Sequence, residues 1–213
     1  MNLTDTEICC PKQRDNEELL LVKMISFVVK EEGKAKQLTQ KLLDAFSTLG
    51  NVMYADRYKL SMVIPNEEEM LEILDLFKQL VSSILHFRIQ RTDIISSRDQ
   101  LIDYLKFKLG GLNVEQCRVL YLNKKNILLA DEIISEGTLD MVFFHPREIV
   151  KVALFYGASS IIVVHNHPSG DPKASANDLI VTDKIIRACG VFDISVHDHI
   201  IVSKGAYFSC LSK

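Results

Sequence analysis

Hydrophobic positions follow two different rhythms along this chain. Over the first ninety residues they recur at helical spacing. Leu19, Leu20, Val22, Met24, Ile25 and Val28 predict a buried helix over about 16–29. Leu38, Leu42, Leu43, Phe46 and Leu49 predict a second over about 34–49, with Gly50 as its stop. A third begins at Asn66, with Asn66 and Glu69 as a capping pair and Met70, Ile73, Leu74, Phe77, Leu80, Val81, Ile84 and Leu85 on its buried face. Residues 1–15, polar around Cys9-Cys10-Pro11, read as a loosely held arm.

Beyond a polar linker over 90–97 the pattern changes. Ser97 and Gln100 suggest a capping box for a helix to Leu109, stopped by Gly110-Gly111. Apolar, β-branched runs then bounded by turn residues predict strands: 114–122, a turn at 123–126, and 127–134 returning as a hairpin. Gly137-Thr138 leads into a third strand over 141–144. Pro146 suits the first position of a helix to Tyr156, because its missing N–H has no intrahelical partner there. A buried strand over 160–164, a helix over 175–189 and a closing hairpin over 194–209 complete the chain. The expected organisation is a small all-α domain over 1–90 followed by an α/β domain over 91–213.

The densest chemistry lies at the end of the 160–164 strand. His165 and His167 are separated by one residue, so in extended chain both imidazoles project to one face. Pro168-Ser169-Gly170-Asp171-Pro172 is a turn-rich loop, and Ser175 and Asp178 open the next helix. The loop can fold the Asp178 carboxylate back over the histidines. Two nitrogens and one oxygen with an open position suit a catalytic zinc ion better than a structural one. For the histidines the competing reading is a pair of polar loop residues. For Asp178 it is capping, since Ser175 and Asp178 also form a Ser-x-x-Asp box.

The string His165-Asn166-His167-Pro168-Ser169-Gly170 with Ser175 and Asp178 at this spacing resembles the JAMM signature of the JAB/MPN metallohydrolases, specifically their RadC-like branch. Gly137-Thr138, His145-Pro146-Arg147-Glu148-Ile149, Thr182 after Asp178, and Asp198-His199-Ile200-Ile201-Val202 agree with it. The resemblance is strong over the last half of the chain and weak before it. It implies a three-layer α/β/α domain with a mixed sheet, and one Zn2+ per chain held by His165, His167 and Asp178. It also implies hydrolysis of an amide, peptide or isopeptide bond in a peptide or protein substrate. Glu115, at the start of the first strand, matches the family's proton-carrying glutamate, with Glu132 as its rival. Ser175 would hydrogen-bond the developing oxyanion, capping being its competing role. Asp198 and His199 match the family's Asp-His pair. His197 beside them makes a second His-x-His, which by itself could suggest an alternative metal site. With no proline loop or later carboxylate, the expected role is hydrogen bonding, either behind the metal ligands or purely structural. Ala174 stands where the family usually has proline.

The family's N-terminal region resembles a helix-hairpin-helix unit whose glycine turn approaches phosphate. Here the matching segment is Val63-Ile64-Pro65-Asn66-Glu67-Glu68-Glu69, without glycine and with three consecutive acids. Residues 1–90 carry 11 Lys and Arg against 14 Asp and Glu, and residues 91–213 carry 14 against 14. Neither part has the basic excess of non-specific nucleic-acid binding, which disfavours the alternative of a DNA-repair or recombination-associated binding module. A metal-binding scaffold without turnover is the other alternative. The five cysteines include no C-x-x-C pair and read as reduced packing residues. No apolar run reaches membrane-span length, and the first residues are acidic where a signal peptide is basic, so a cytoplasmic protein without membrane contact is expected.

Overall fold

The computed structural model describes residues 11–137 and 145–211. Backbone contacts divide the chain into two compact units, with the division between Gln79 and Leu80.

The first unit holds α1 (Pro11–Ser26), α2 (Glu32–Phe46), α3 (Leu49–Tyr54), α4 (Arg57–Val63) and the first half of α5 (Glu68–Gln90). In α1 the buried stripe is Leu21, Met24 and Ile25, continued by Val29, while Leu19 and Leu20 are about half exposed. Three consecutive leucines offer three candidate faces, and the inward one is Leu21. The segment expected as one helix to Leu49 is two. Ser47, at φ 70°, ends α2 in place of Gly50, and the Thr48 hydroxyl then caps α3 by accepting from Asn51 N at 3.1 Å. Asp56 caps α4 in the same way, accepting from Lys59 N at 2.9 Å.

Asn66 does not cap α5. It sits at φ 65° in the turn before the helix, which starts at Glu68. Two of the three consecutive acids are engaged, Glu67 with Lys34 at 2.7 Å and Glu68 with Arg57 at 2.8 Å. On α5, Met70, Leu71 and Leu74 are buried in the first core and Ile89 in the second, whereas Leu80 and Ile84 are more than half exposed. The inward face of the helix is therefore interrupted rather than continuous.

The second unit is a mixed five-stranded sheet with helices on both faces. Its strands are β1 (Glu115–Leu122), β2 (Leu128–Gly137), β3 (Ser160–Asn166), β4 (Ser195–Val202) and β5 (Tyr207–Ser209), in spatial order β2-β1-β3-β4-β5. Among the described strands only β3 and β4 run parallel, joined by the crossover helix α8 (Ala176–Gly190). Alternation along β1 sorts the faces. Leu120 and Leu122 point to α6 (Arg98–Leu109), packing with Leu101, Leu105, Ile162, Val164 and Ile200. Cys117, Val119 and Tyr121 point the other way, to α7 (Pro146–Tyr156) and α8, packing with Ile149, Ala153, Val163 and Ile185.

Pro146 opens α7 and the helix runs to Tyr156, as the sequence suggests; Gly157, at φ 63°, closes it with its N–H on the last-turn carbonyls. Ser97 precedes α6 but its side chain makes no cap bond. The segment before it is less polar in effect than its composition: Ile94 is fully buried and its N–H reaches Asn126 O. The strand expected over 141–144 lies outside the described residues. On the α6 side, buried Arg118 pairs with Asp131 at 2.7 Å, tying β1 to β2, and Tyr104 of α6 reaches the same carboxylate. No helix among the described residues is long and apolar enough to cross a membrane.

Candidate metal centre

The strand β3 continues two residues further than its apolar run indicates, so His165 and Asn166 are still in the sheet. His165 faces the α7/α8 side, directly opposite Cys117 of β1, and is buried. His167 follows at the strand's exit, its N–H bonded to Val202 O at 2.8 Å. The turn Pro168–Gly170 closes with Gly170 N on His167 O at 3.1 Å, and Gly170 adopts φ 95°, a conformation glycine takes without strain. The chain then returns over the strand end and enters α8.

The entry to α8 is a complete capping box. Ser175 Oγ accepts from Asp178 N at 3.1 Å, and Asp178 Oδ2 accepts from Ser175 N and Ser175 Oγ, both at 2.7 Å. This fixes the carboxylate without using it up. Oδ1 lies 3.4 Å from His165 Nε2, and Oδ2 lies 3.6 Å from His167 Nε2. The two Nε2 atoms are 3.0 Å apart. Among the described residues, His165, His167 and Asp178 form a group whose ligand atoms all lie within 4.8 Å of one another. Capping and convergence on the histidines, two roles that compete for the Asp178 oxygens, coexist.

The donor set can be tested against a cation. His167 Nδ1 lies 2.9 Å from Asp171 O, a carbonyl that can only accept. Nδ1 therefore carries hydrogen, and a neutral His167 presents a bare Nε2 to the group. Hydrogen bonding to Asp178 raises the His167 pKa against the opposing effect of burial. Burial would by itself raise the Asp178 carboxyl; His167, the Ser175 hydroxyl and His165 outweigh it and hold it well below the usual carboxylate range. Burial pushes His165 down to about 3, with His199 adding to the effect. A neutral imidazole, a second imidazole that attracts a proton and a carboxylate that resists one make a small, electron-rich concavity. Its nitrogen and oxygen donors fit zinc.

Glu115 opens β1 on the same face as Cys117, at the end of the strand nearest this group. Burial raises its carboxyl pKa, Asp178 adds to the rise and His167 opposes it. The side chain of Asn166 holds the backbone on either side: its Oδ1 accepts from Gln116 N at 2.8 Å and its Nδ2 donates to Val114 O at 3.0 Å. The motif's middle residue thus extends the β1–β3 ladder where main-chain pairing has stopped. Glu132 stands opposite Val119, four residues along the strand from Glu115, roughly 13 Å at the usual rise. Its carboxylate accepts from Tyr156 Oη at 2.6 Å.

The second His-x-His divides. His197 is exposed and pairs with Asn126 Oδ1 at 2.9 Å. His199 is buried and lies 2.8 Å from His165 Nδ1, with Thr182 of α8 on its other nitrogen. Asp198 turns to the opposite face, where Arg98, Ser209 and two backbone amides satisfy it. His86 stacks on Tyr104 at 5.5 Å, and His145 precedes α7. Thr182 and His199 are both positions of the motif resemblance, but that they meet each other, and that His199 meets His165, is not readable from spacing.

The family model of the RadC-like JAB domain matches residues 95–213. A UPF0758 protein of Rhodobacter capsulatus is 36% identical over 189 residues, covering 89% of this chain and 88% of its own length. A UPF0758 protein of Ruegeria pomeroyi is likewise 36% identical over 189 residues, covering 89% of this chain and 84% of its own.

Proposed function

The chain belongs to the RadC-like JAB domain family, and from that premise we propose that it is a zinc-dependent hydrolase that cleaves an amide, peptide or isopeptide bond in a peptide or protein substrate. The observation that carries this reading is the convergence of His165 Nε2, His167 Nε2 and an Asp178 oxygen within 4.8 Å at the mouth of the sheet. JAB domains include metallohydrolases, and these three residues would hold the ion. Bound there, zinc would act as a Lewis acid that polarises the substrate carbonyl and lowers the pKa of water at the site.

The protein's own part begins with Glu115. A carboxylate whose pKa is raised by burial binds a proton more readily than an exposed one, which suits it to taking a proton from water and passing it on. Glu115 would take the proton from attacking water at its carboxylate and deliver it to the leaving amine. Ser175 would donate its hydroxyl to the oxyanion as the carbonyl becomes tetrahedral, exchanging its bond to Asp178 Oδ2 for one to substrate. Asn166 keeps Glu115 in place by gripping the peptide groups on both sides of it.

The alternative of a nucleic-acid-binding module has the family name in its favour and the acidic balance of residues 1–90 against it. A scaffold that binds metal without turnover shares every ligand. The test is hydrolysis of a panel of peptide and isopeptide substrates by zinc-loaded protein, run beside duplex-DNA binding at moderate salt. Chelator-sensitive cleavage supports the reading; DNA binding with a steep salt slope and no cleavage would replace it.

A further inference from the structure

The hydroxyl of Thr182 has one hydrogen and two polar neighbours. It lies 2.6 Å from the carbonyl oxygen of Asp178, one helical turn earlier, and 2.5 Å from His199 Nδ1. A carbonyl has nothing to donate, so the Thr182 hydrogen goes to it. What Thr182 then offers His199 is a lone pair, and Nδ1 of His199 must carry hydrogen to fill it.

The consequence runs on to the next ring. A neutral imidazole has one N–H, so His199 Nε2 is bare. Its neighbour at 2.8 Å is His165 Nδ1, which must therefore be the donor. His165 in turn has its hydrogen on Nδ1 and a bare Nε2, the atom that faces His167 Nε2 and Asp178 Oδ1. Both rings are buried, at 3% exposure for His165 and 0% for His199, which favours their neutral forms.

We propose that Thr182 and His199 are positioning residues that hold His165 in the Nδ1–H tautomer, so that its Nε2 lone pair is already presented to the metal. This rests on the metal reading of the site given above. The relay has one direction only, because reversing it would require the Asp178 carbonyl to donate. It also begins and ends on the same residue: the backbone of Asp178 sets the tautomer of the imidazole that its own carboxylate faces. Packing alone does not account for the arrangement, since a valine at 182 would fill nearly the same space. Such a valine would leave His199 free to move its hydrogen to Nε2. His165 would then have to accept at Nδ1 and carry its hydrogen on Nε2, where the ion needs a lone pair.

The experiment uses the full chain labelled with 15N-histidine, first with metal removed. Long-range 1H–15N spectra at neutral pH should show His165 protonated on Nδ1 in the unmodified protein and in Thr182→Ser, and shifted toward Nε2–H in Thr182→Val. Zinc affinity, measured by competition with a chromophoric chelator, should fall about ten- to a hundredfold in Thr182→Val and be restored in Thr182→Ser, the range for loss of a group that orients a ligand. An Nε2–H tautomer in the unmodified protein would overturn the proposal, and so would unchanged tautomer and affinity in Thr182→Val. Should Thr182→Val fail to fold, the spectrum of the unmodified protein still decides. Absence of zinc binding by protein with the Nδ1–H tautomer would sink the metal reading and leave the relay standing.

Discussion

Cys117 of β1 stands directly opposite His165 of β3, the last main-chain pair between those two strands. The antiparallel register then aligns the residues beyond that pair. Glu115 lies two residues back along β1 and His167 two residues on from His165, so both approach the same end of the sheet on the same face. The loop from Pro168 to Ser175 brings Asp178 over them. A single register therefore assembles a proposed proton carrier beside a proposed ligand set, and a slip of one residue would send Glu115 to the α6 side.

Glu115→Gln keeps the shape of the side chain and removes its ability to take a proton. With a cleavable substrate, turnover should fall by about a hundredfold or more while zinc content is retained, the range for losing a positioned general base. Parallel measurement of zinc and turnover checks this. Undiminished turnover would remove Glu115 from the proton-carrying role, and loss of zinc would make it a ligand.

Ser175→Ala separates two roles of one hydroxyl. Loss of the bond to Asp178 N removes an N-cap and should lower stability by about 1 kcal/mol in chemical denaturation. If Ser175 also donates to the oxyanion, turnover should fall by about 10²- to 10³-fold. A stability loss with unchanged turnover would leave Ser175 as a cap alone.

The sequence makes some of this legible because the signals are local. Pro146 opens α7, the turn residues at 123–126 make the hairpin, and the histidine spacing brings in the loop and Ser175 with Asp178. The break between α2 and α3 is harder to see, because it depends on Ser47 adopting a positive φ that glycine would have advertised. The inward choice of Leu21 over Leu19 and Leu20, and the burial of Ile94 inside a polar stretch, are decided by what packs against them. Thr182 and His199 meet across a helix and a strand seventeen residues apart, so their chemistry exists only once α8 is docked.

Acid should destabilise the metal-free protein in a defined window. Burial lowers His165 to about 3 and His199 to about 4, both from 6.5. Between those values the unfolded chain binds protons that the folded one refuses, so stability falls as pH falls. The contribution is fully present above pH 6.5 and is lost as pH drops through 4 and 3. Calorimetry of chelator-treated protein from pH 7.5 to 4.5 should show a falling melting temperature, and replacing His199 with Asn should flatten the slope. An equally steep slope in that variant would place the titration elsewhere.

Metal content tests the central claim most directly. The protein, purified without chelator and analysed by inductively coupled plasma mass spectrometry, should carry about one zinc per chain, because one set of two nitrogens and one oxygen makes one site. A folded variant with both His165 and His167 replaced by Ala should carry none. Full zinc in that double variant would contradict the account and place the ion away from His165, His167 and Asp178.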